Sequence, residues 1–230
     1  MKAIILAGGF GTRLHKHVPD VPKPMAPIAK RPFLEYLLDR LVSAGIDEII
    51  LSVGYRAEMI IQHFGNKYQN IPISYAIESE PLGTGGAIAH ALKKNNDKPI
   101  IVLNGDTLLD INFSELISWY IKKPTQVAMV LRNISDVSRY GSVLLTDDQI
   151  VGFVEKKKEG AGWINAGIYI IQPTIFKKLG LSGRFSFEAE VLQTHCTTLS
   201  PRAFLTSAYF IDIGIPDDYD RAQIELPKLA

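Results

Sequence analysis

Cysteine is nearly absent from this chain: Cys196 is the single one in 230 residues. An intrachain disulfide is therefore excluded, and so is a metal cluster built on several thiolates. An excess of either charge is also lacking. Lys and Arg number 25 against 24 Asp and Glu, a net charge of +1, and the two signs are interspersed. That balance argues against nucleic acid or a membrane surface as the main partner. No apolar run approaches the ~20 residues a membrane helix needs. Met1-Lys2 leads straight into a strand-like run, without the charged leader of a secretory signal, so the expected compartment is the cytoplasm. There are no internal repeats and no low-complexity stretch. What remains is an ordinary globular composition, 47% hydrophobic, with enough length to bury a substantial core. It is compatible with a homo-oligomer.

The first half of the chain alternates strand-like and helix-like segments. Ile4 to Ala7, Glu48 to Val53, Ile73 to Ile77 and Ile100 to Leu103 are short β-branched or leucine runs. Between them, Phe33 to Ala44 (after Pro32 and before Gly45), Ala57 to Phe64 and Gly85 to Lys94 read as helices. Such alternation predicts a parallel sheet covered on both faces. Beyond about Thr125 the pattern changes. Strands are expected at Val127 to Leu131, Ser142 to Leu145, Ile150 to Val154, Trp163 to Ile171 and Phe210 to Ile213. Helices are expected near Thr174 to Leu179, Phe187 to Cys196 and from Pro216 onward. The fold class is α/β, one domain over residues 1–230, with a mixed, mainly parallel central sheet.

The most informative segment follows the first strand: Leu6-Ala7-Gly8-Gly9-Phe10-Gly11-Thr12-Arg13-Leu14, with a second cation framed in Pro22-Lys23-Pro24. Small residues let backbone N–H groups approach an anion closely, and Arg13 and Lys23 supply charge. A Walker A loop would need Lys-Ser or Lys-Thr after its last glycine, where this chain has Thr12-Arg13. A dinucleotide fingerprint would need glycine or alanine at Leu14 and an acidic residue after the second strand, which ends in Ser52-Val53-Gly54. Both fail. Two strands end in aspartate, at Asn104-Gly105-Asp106 and at Asp212-Ile213-Gly214. Carboxyl ends of strands are where ligands sit in an open α/β sheet. Paired carboxylates plus substrate phosphates make a typical Mg²⁺ site. The five histidines form no Ser/His/Asp arrangement, so nucleophilic catalysis is not expected.

The glycine loop with its two cations, continued by Met25-Ala26-Pro27-Ile28, resembles the sugar-1-phosphate nucleotidyltransferase family. That resemblance implies a Rossmann-like, GT-A-like fold, with a nucleotide-binding half over about 1–124 and a sugar-phosphate half over about 125–230. It implies nucleotide contacts from Leu6, Ala7, Gly8, Gly9, Gly11, Thr12, Arg13, Lys23, Gly105 and Asp106. It also sets Glu78, Pro81, Gly83 and Thr84 against the base. A carboxylate only accepts hydrogen bonds, which suits the adjacent N–H groups of guanine, so Glu78 favours GTP. Tyr140, Gly141, Glu155, Lys156, Asn165 and Gly167 match the family's sugar-phosphate segments in order, although Lys157 stands where the family usually has proline. Mg²⁺ would be held by Asp106 and Asp212, and Arg13, Lys23 and Asp106 would carry catalysis. The stretches around Glu80-Pro81-Leu82-Gly83-Thr84-Gly85-Gly86 and Phe185-Ser186-Phe187-Glu188 resemble the guanylyl-transferring branch, with heptose or mannose 1-phosphate as acceptor. Short uridylyl- and thymidylyltransferases stay open within the class. A non-catalytic nucleotide-sugar-sensing subunit is the alternative from a different class. Such a subunit would be expected to lack one of Arg13, Lys23, Asp106 and Asp212, and all four are present.

Overall fold

The computed structural model describes residues 1–11, 14, 18–94, 98–154 and 160–229. Thr12, Arg13, Glu155 and Lys156, four of the expected site residues, lie outside them, as do His15 and His17. From the N-terminus run β1 (Lys2–Leu6), a 3₁₀ turn (Lys23–Met25), β2 (Pro27–Ile28), β3 (Arg31–Pro32), α1 (Phe33–Ser43), β4 (Glu48–Val53), α2 (Ala57–Phe64), β5 (Lys67–Tyr68), β6 (Ile71–Ile77), α3 (Gly83–Ala91) and β7 (Ile100–Asn104). There follow β8 (Thr107–Leu109), α4 (Phe113–Ile121), β9 (Val127–Ile134), β10 (Ser142–Thr146), β11 (Gln149–Val154), β12 (Gly162–Ile171), α5 (Thr174–Leu179) and a π-helix (Phe187–Gln193). The chain ends with α6 (Cys196–Leu199), β13 (Arg202–Thr206), β14 (Phe210–Asp212) and α7 (Pro216–Glu225).

Ten strands form one sheet in the order β10-β11-β13-β9-β12-β7-β1-β4-β6-β5. The block β7-β1-β4-β6 is parallel, as the helix-separated apolar runs predict. On its other side β12 pairs antiparallel with both β7 and β9. The strands after residue 125 therefore extend the same sheet rather than forming a second layer. Side chains of β1 alternate between faces. Ala3 and Ile5 join one core with Leu34, Leu37, Leu38 and Leu41 of α1, while Ile4 joins another with Ile88, Phe187 and Val191. The α1 leucines recur at helical spacing and are almost fully buried, each worth roughly 1.5–3 kcal/mol of apolar transfer. This two-sided burial explains why the central strands carry almost no polar residue.

The structure departs from the sequence expectation in the short strands β2, β3, β5 and β8, which the apolar runs do not predict, and in four further elements. Helix α4 was not anticipated, although Asn112 caps it by accepting from Ser114 N and Glu115 N at 3.0 and 3.3 Å. Strand β13 was also missed. The expected helix from Phe187 to Cys196 is a π-helix followed by the short α6. The fourth departure is β14, which is not in the main sheet but forms a two-stranded ribbon with β8.

Candidate active site

Parallel pairing of β1 with β7 sets Leu6 opposite Asn104, so the chain leaves both strands at the same edge. The glycine loop is then tied to its neighbours through its backbone. Ala7 N donates to Ser52 O at 2.7 Å, Tyr55 N to Gly8 O at 3.3 Å, and Gly105 N to Leu6 O at 2.9 Å. Between this loop, the start of α3 and the end of β7 lies a cleft of about 400 Å³, within the range of small-molecule sites.

Of the nucleotide residues expected from sequence, Leu6, Ala7, Gly8, Gly9 and Gly11 line the cleft from the loop side, with Lys23 beside them. Glu78, Pro81, Gly83 and Thr84 line it from the β6–α3 side, and Gly105 and Asp106 close it from β7. The structure thus brings the whole described part of that set together. The cleft also includes Phe10, Leu14, Pro24, Ala87, Asn104 and Gly214, which had no assigned role. Asn104 is the most informative of these. Its Oδ1 is buried and has no hydrogen-bond partner among the described residues, an arrangement native proteins rarely leave without a ligand or water.

Lys23 opens the 3₁₀ turn after Pro22, whose extended backbone (φ −65°, ψ 148°) directs the turn inward. Its side chain is only 9% exposed, and Nζ lies 2.6 Å from Asp106 Oδ2 and 3.7 Å from Asp212 Oδ1. Asp212 arrives by a different route from the one expected. It does not end a strand of the main sheet; the β14–β8 ribbon sets it opposite Thr107, next to Asp106. Asp212 Oδ1 also accepts from Gly214 N at 2.7 Å. A Cβ at Gly214 would meet both the Lys23 ammonium and Asp212 Oδ1, so a side chain there would shift the ammonium from its present position between the carboxylates. One ammonium thus stands between two carboxylates, offsetting a repulsion that burial would otherwise strengthen.

Glu78 is held as firmly. Ser52, fully buried, donates Oγ to Glu78 Oε1 at 3.0 Å, and Leu82 N donates to Oε2 at 3.2 Å. Gly83, which follows, has φ +70° and no room for a Cβ, which would lie 2.5 Å from Phe185 O. The backbone between Glu78 and Thr84 is therefore pinned at both ends.

The described members of the expected sugar-phosphate set, Tyr140, Gly141, Asn165 and Gly167, lie outside the cleft lining. Tyr140 packs edge-on against Phe210, with ring centroids 5.9 Å apart. Burial, reinforced by the nearby charge of Asp212, pushes its hydroxyl up to about 12. Gly141 takes φ +78° beside it. Asn165 Nδ2 donates to Tyr169 Oη at 2.6 Å, and its Oδ1 accepts from Gly167 N at 2.9 Å. Gly167 in turn lies against the Asn104 and Thr107 side chains, which connects this group to the cleft wall.

A family model described as nucleotidyl transferase matches residues 2–228. The chain belongs to the nucleotidyl transferase family. It is 45% identical over 226 residues to the D-glycero-alpha-D-manno-heptose 1-phosphate guanylyltransferase of Aneurinibacillus thermoaerophilus, covering 98% of each chain. To the enzyme of the same name from Campylobacter jejuni it is 44% identical, covering 95% of this chain and 97% of that one. The crystal structure of HddC from Yersinia pseudotuberculosis complexed with GMP-PN superposes with a TM-score of 0.85 at 39% identity, over 96% of this chain and 97% of that one. Members of this family carry out nucleotidyl transfer, and the likeness spans nearly the whole fold. No helix among the described residues is long and apolar enough to cross a membrane.

Proposed function

We propose that this chain transfers a guanylyl group from GTP to D-glycero-α-D-manno-heptose 1-phosphate, releasing pyrophosphate and giving the GDP-sugar. The observation that carries the reading is the placement of Lys23 between Asp106 and Asp212 at the mouth of the glycine loop. Heptose is favoured over mannose as the acceptor by the two relatives named for heptose 1-phosphate, and GTP by the pinned carboxylate of Glu78. The reaction is placed in the cytoplasm, where GTP is available.

A sugar phosphate is already mostly dianionic at pH 7, since its second pKa is about 6. Its oxygen needs no general base to attack the α-phosphorus; the bond from the α-phosphorus to the bridging oxygen breaks as pyrophosphate leaves. The work left to the protein is alignment and charge neutralisation. Lys23 meets the charge that builds on the α-phosphoryl oxygens. Arg13 is assigned to the departing pyrophosphate, and Thr12 to the nucleotide beside it. Lys156 holds the attacking phosphate in line, while Glu155 and Asn165 accept or donate to sugar hydroxyls, with Tyr140, Gly141 and Gly167 shaping that subsite.

Asp106 and Asp212 are assigned to Mg²⁺. Both carboxylates lie within 4 Å of one ammonium, so they can serve one cation together. Among the described residues no group of three or more metal-ligating side chains occurs. A site of two carboxylates fits Mg²⁺, which commonly takes one or two and completes its shell with water and substrate phosphates. Bound there, Mg²⁺ would supply charge stabilisation to phosphate oxygens.

Product analysis tests the acceptor. With GTP and MgCl₂, the expected result is GDP-heptose formed from D-glycero-α-D-manno-heptose 1-phosphate with kcat/KM at least ~10-fold above that for mannose 1-phosphate, the discrimination that one well-placed polar contact can supply. Equal or faster turnover of mannose 1-phosphate would replace heptose with mannose in this assignment.

A further inference from the structure

A chain of side-chain hydrogen bonds joins the two flanks of the cleft through Glu188, to which the reaction above assigns nothing. The Glu188 carboxylate receives three hydroxyls: Thr84 Oγ1 at 2.5 Å, Tyr169 Oη at 3.1 Å and Ser186 Oγ at 3.2 Å. Tyr169 Oη in turn accepts from Asn165 Nδ2, and Asn165 Oδ1 from Gly167 N. Thr84 lines the cleft on the nucleotide side, and Gly167 abuts Asn104 on the other.

Donor and acceptor chemistry gives this relay a direction. A carboxylate only accepts, so the Tyr169 hydroxyl must donate to Glu188 and keep its oxygen for an incoming donor. Asn165 must then turn its NH₂ toward Tyr169 and its carbonyl toward Gly167. The far end imposes the same choice, because a backbone N–H can only donate. Tyr169 is completely buried, with its hydroxyl held well above the usual range by desolvation first and Glu188 second, so its two partners are met away from bulk solvent. Two backbone irregularities bring the members together. The β12–β9 register shifts between Asn165 and Tyr169, and Glu188 sits in the first turn of the π-helix. Such features re-aim side chains and concentrate near functional sites.

We propose that Glu188 is a positioning residue: it sets the amide orientation of Asn165, and so decides which face of that amide the sugar meets, while holding Thr84 at the nucleotide side. The proposal rests on the assignment of Asn165 to the sugar subsite. It predicts a specific rescue. Asn165→Asp points two carboxylates at a phenol that can donate to only one, so its Tm should fall by several degrees. Adding Glu188→Gln supplies an amide donor to the Tyr169 oxygen and frees the hydroxyl for the new carboxylate at position 165. The relay is then complete again with reversed polarity.

The test combines thermal denaturation with initial rates on the full chain, for wild type, N165D, E188Q and N165D/E188Q. The expected result is that N165D/E188Q regains at least half of the Tm lost in N165D. Its KM for the sugar 1-phosphate should stay about 10-fold or more above wild type, with KM for GTP within about threefold. A double variant no more stable than N165D overturns the relay. Recovered stability together with a wild-type sugar KM overturns the positioning role. If N165D does not fold, the same comparison is read between E188Q and the double variant, which should then be the more stable. In a Tyr169→Phe background the coupling should vanish. A wild-type protein that makes no GDP-sugar would overturn the proposed reaction instead, and the stability coupling between positions 165 and 188 would still report on the relay.

Discussion

Asp106→Asn should lower turnover by about 10²–10⁴-fold, the range expected when a principal source of transition-state charge stabilisation is lost. The substitution keeps the shape of the side chain and an oxygen that can still accept from Lys23 Nζ, now 2.6 Å away. It leaves the backbone bond from Ile213 N to Asp106 O untouched. Stability should therefore change little, with Tm within a few degrees of wild type, the shift of a ~1 kcal/mol effect at this chain length. Paired rate and melting measurements check this. Near-normal turnover would remove Asp106 from the proposed metal site, and a large drop in Tm would make its role structural.

Lys23→Met should also lose about 10²–10⁴-fold in turnover, by the same electrostatic argument, but with a different stability signature. Methionine fills much of the space of the lysine stem while leaving Asp106 and Asp212 without the ammonium they share. Lys23 and Asp212 are mostly buried while Asp106 stays partly open to solvent, so removing the ammonium costs roughly 1–2 kcal/mol after screening, and K23M should melt a few degrees lower in metal-free buffer. A divalent cation can serve the same two carboxylates. Millimolar MgCl₂ should therefore raise the Tm of K23M more than that of wild type. Equal responses in the two proteins, read by calorimetry with and without MgCl₂, would argue against a cation site between these aspartates.

What the sequence makes legible depends on how local each signal is. The cleft's nucleotide side was readable because glycines, cations and strand ends fall within short windows, and Leu6 to Gly11, Lys23, Glu78 and Asp106 do line one cleft. The alternation of apolar strands and helices also marked the parallel block correctly. Strand β13 was missed because Arg202 to Thr206 has no clean period; it becomes a strand by pairing with β9 across the sheet. Helix α4 was a missed local signal, since Asn112 followed by Glu115 is a capping pattern. A π-helix has no sequence period separating it from an α-helix over seven residues, so the placement of Glu188 could not be read. The route of Asp212 to the site was equally hidden, because the β14–β8 ribbon depends on residues about a hundred positions apart. Asn104 was visible in the motif Asn104-Gly105-Asp106, but only burial reveals that its carbonyl oxygen lacks a partner.

The central claim is that this cleft joins GTP to a sugar 1-phosphate with loss of pyrophosphate. Continuous measurement of pyrophosphate release, with D-glycero-α-D-manno-heptose 1-phosphate, MgCl₂ and each of GTP, ATP, UTP, CTP and dTTP in turn, tests it most directly. Release is expected with GTP, dependent on the sugar phosphate and abolished by EDTA. Rates at least ~100-fold lower are expected with UTP and dTTP, whose carbonyls a carboxylate at Glu78 would repel. Release with UTP or dTTP but not GTP would contradict the claim.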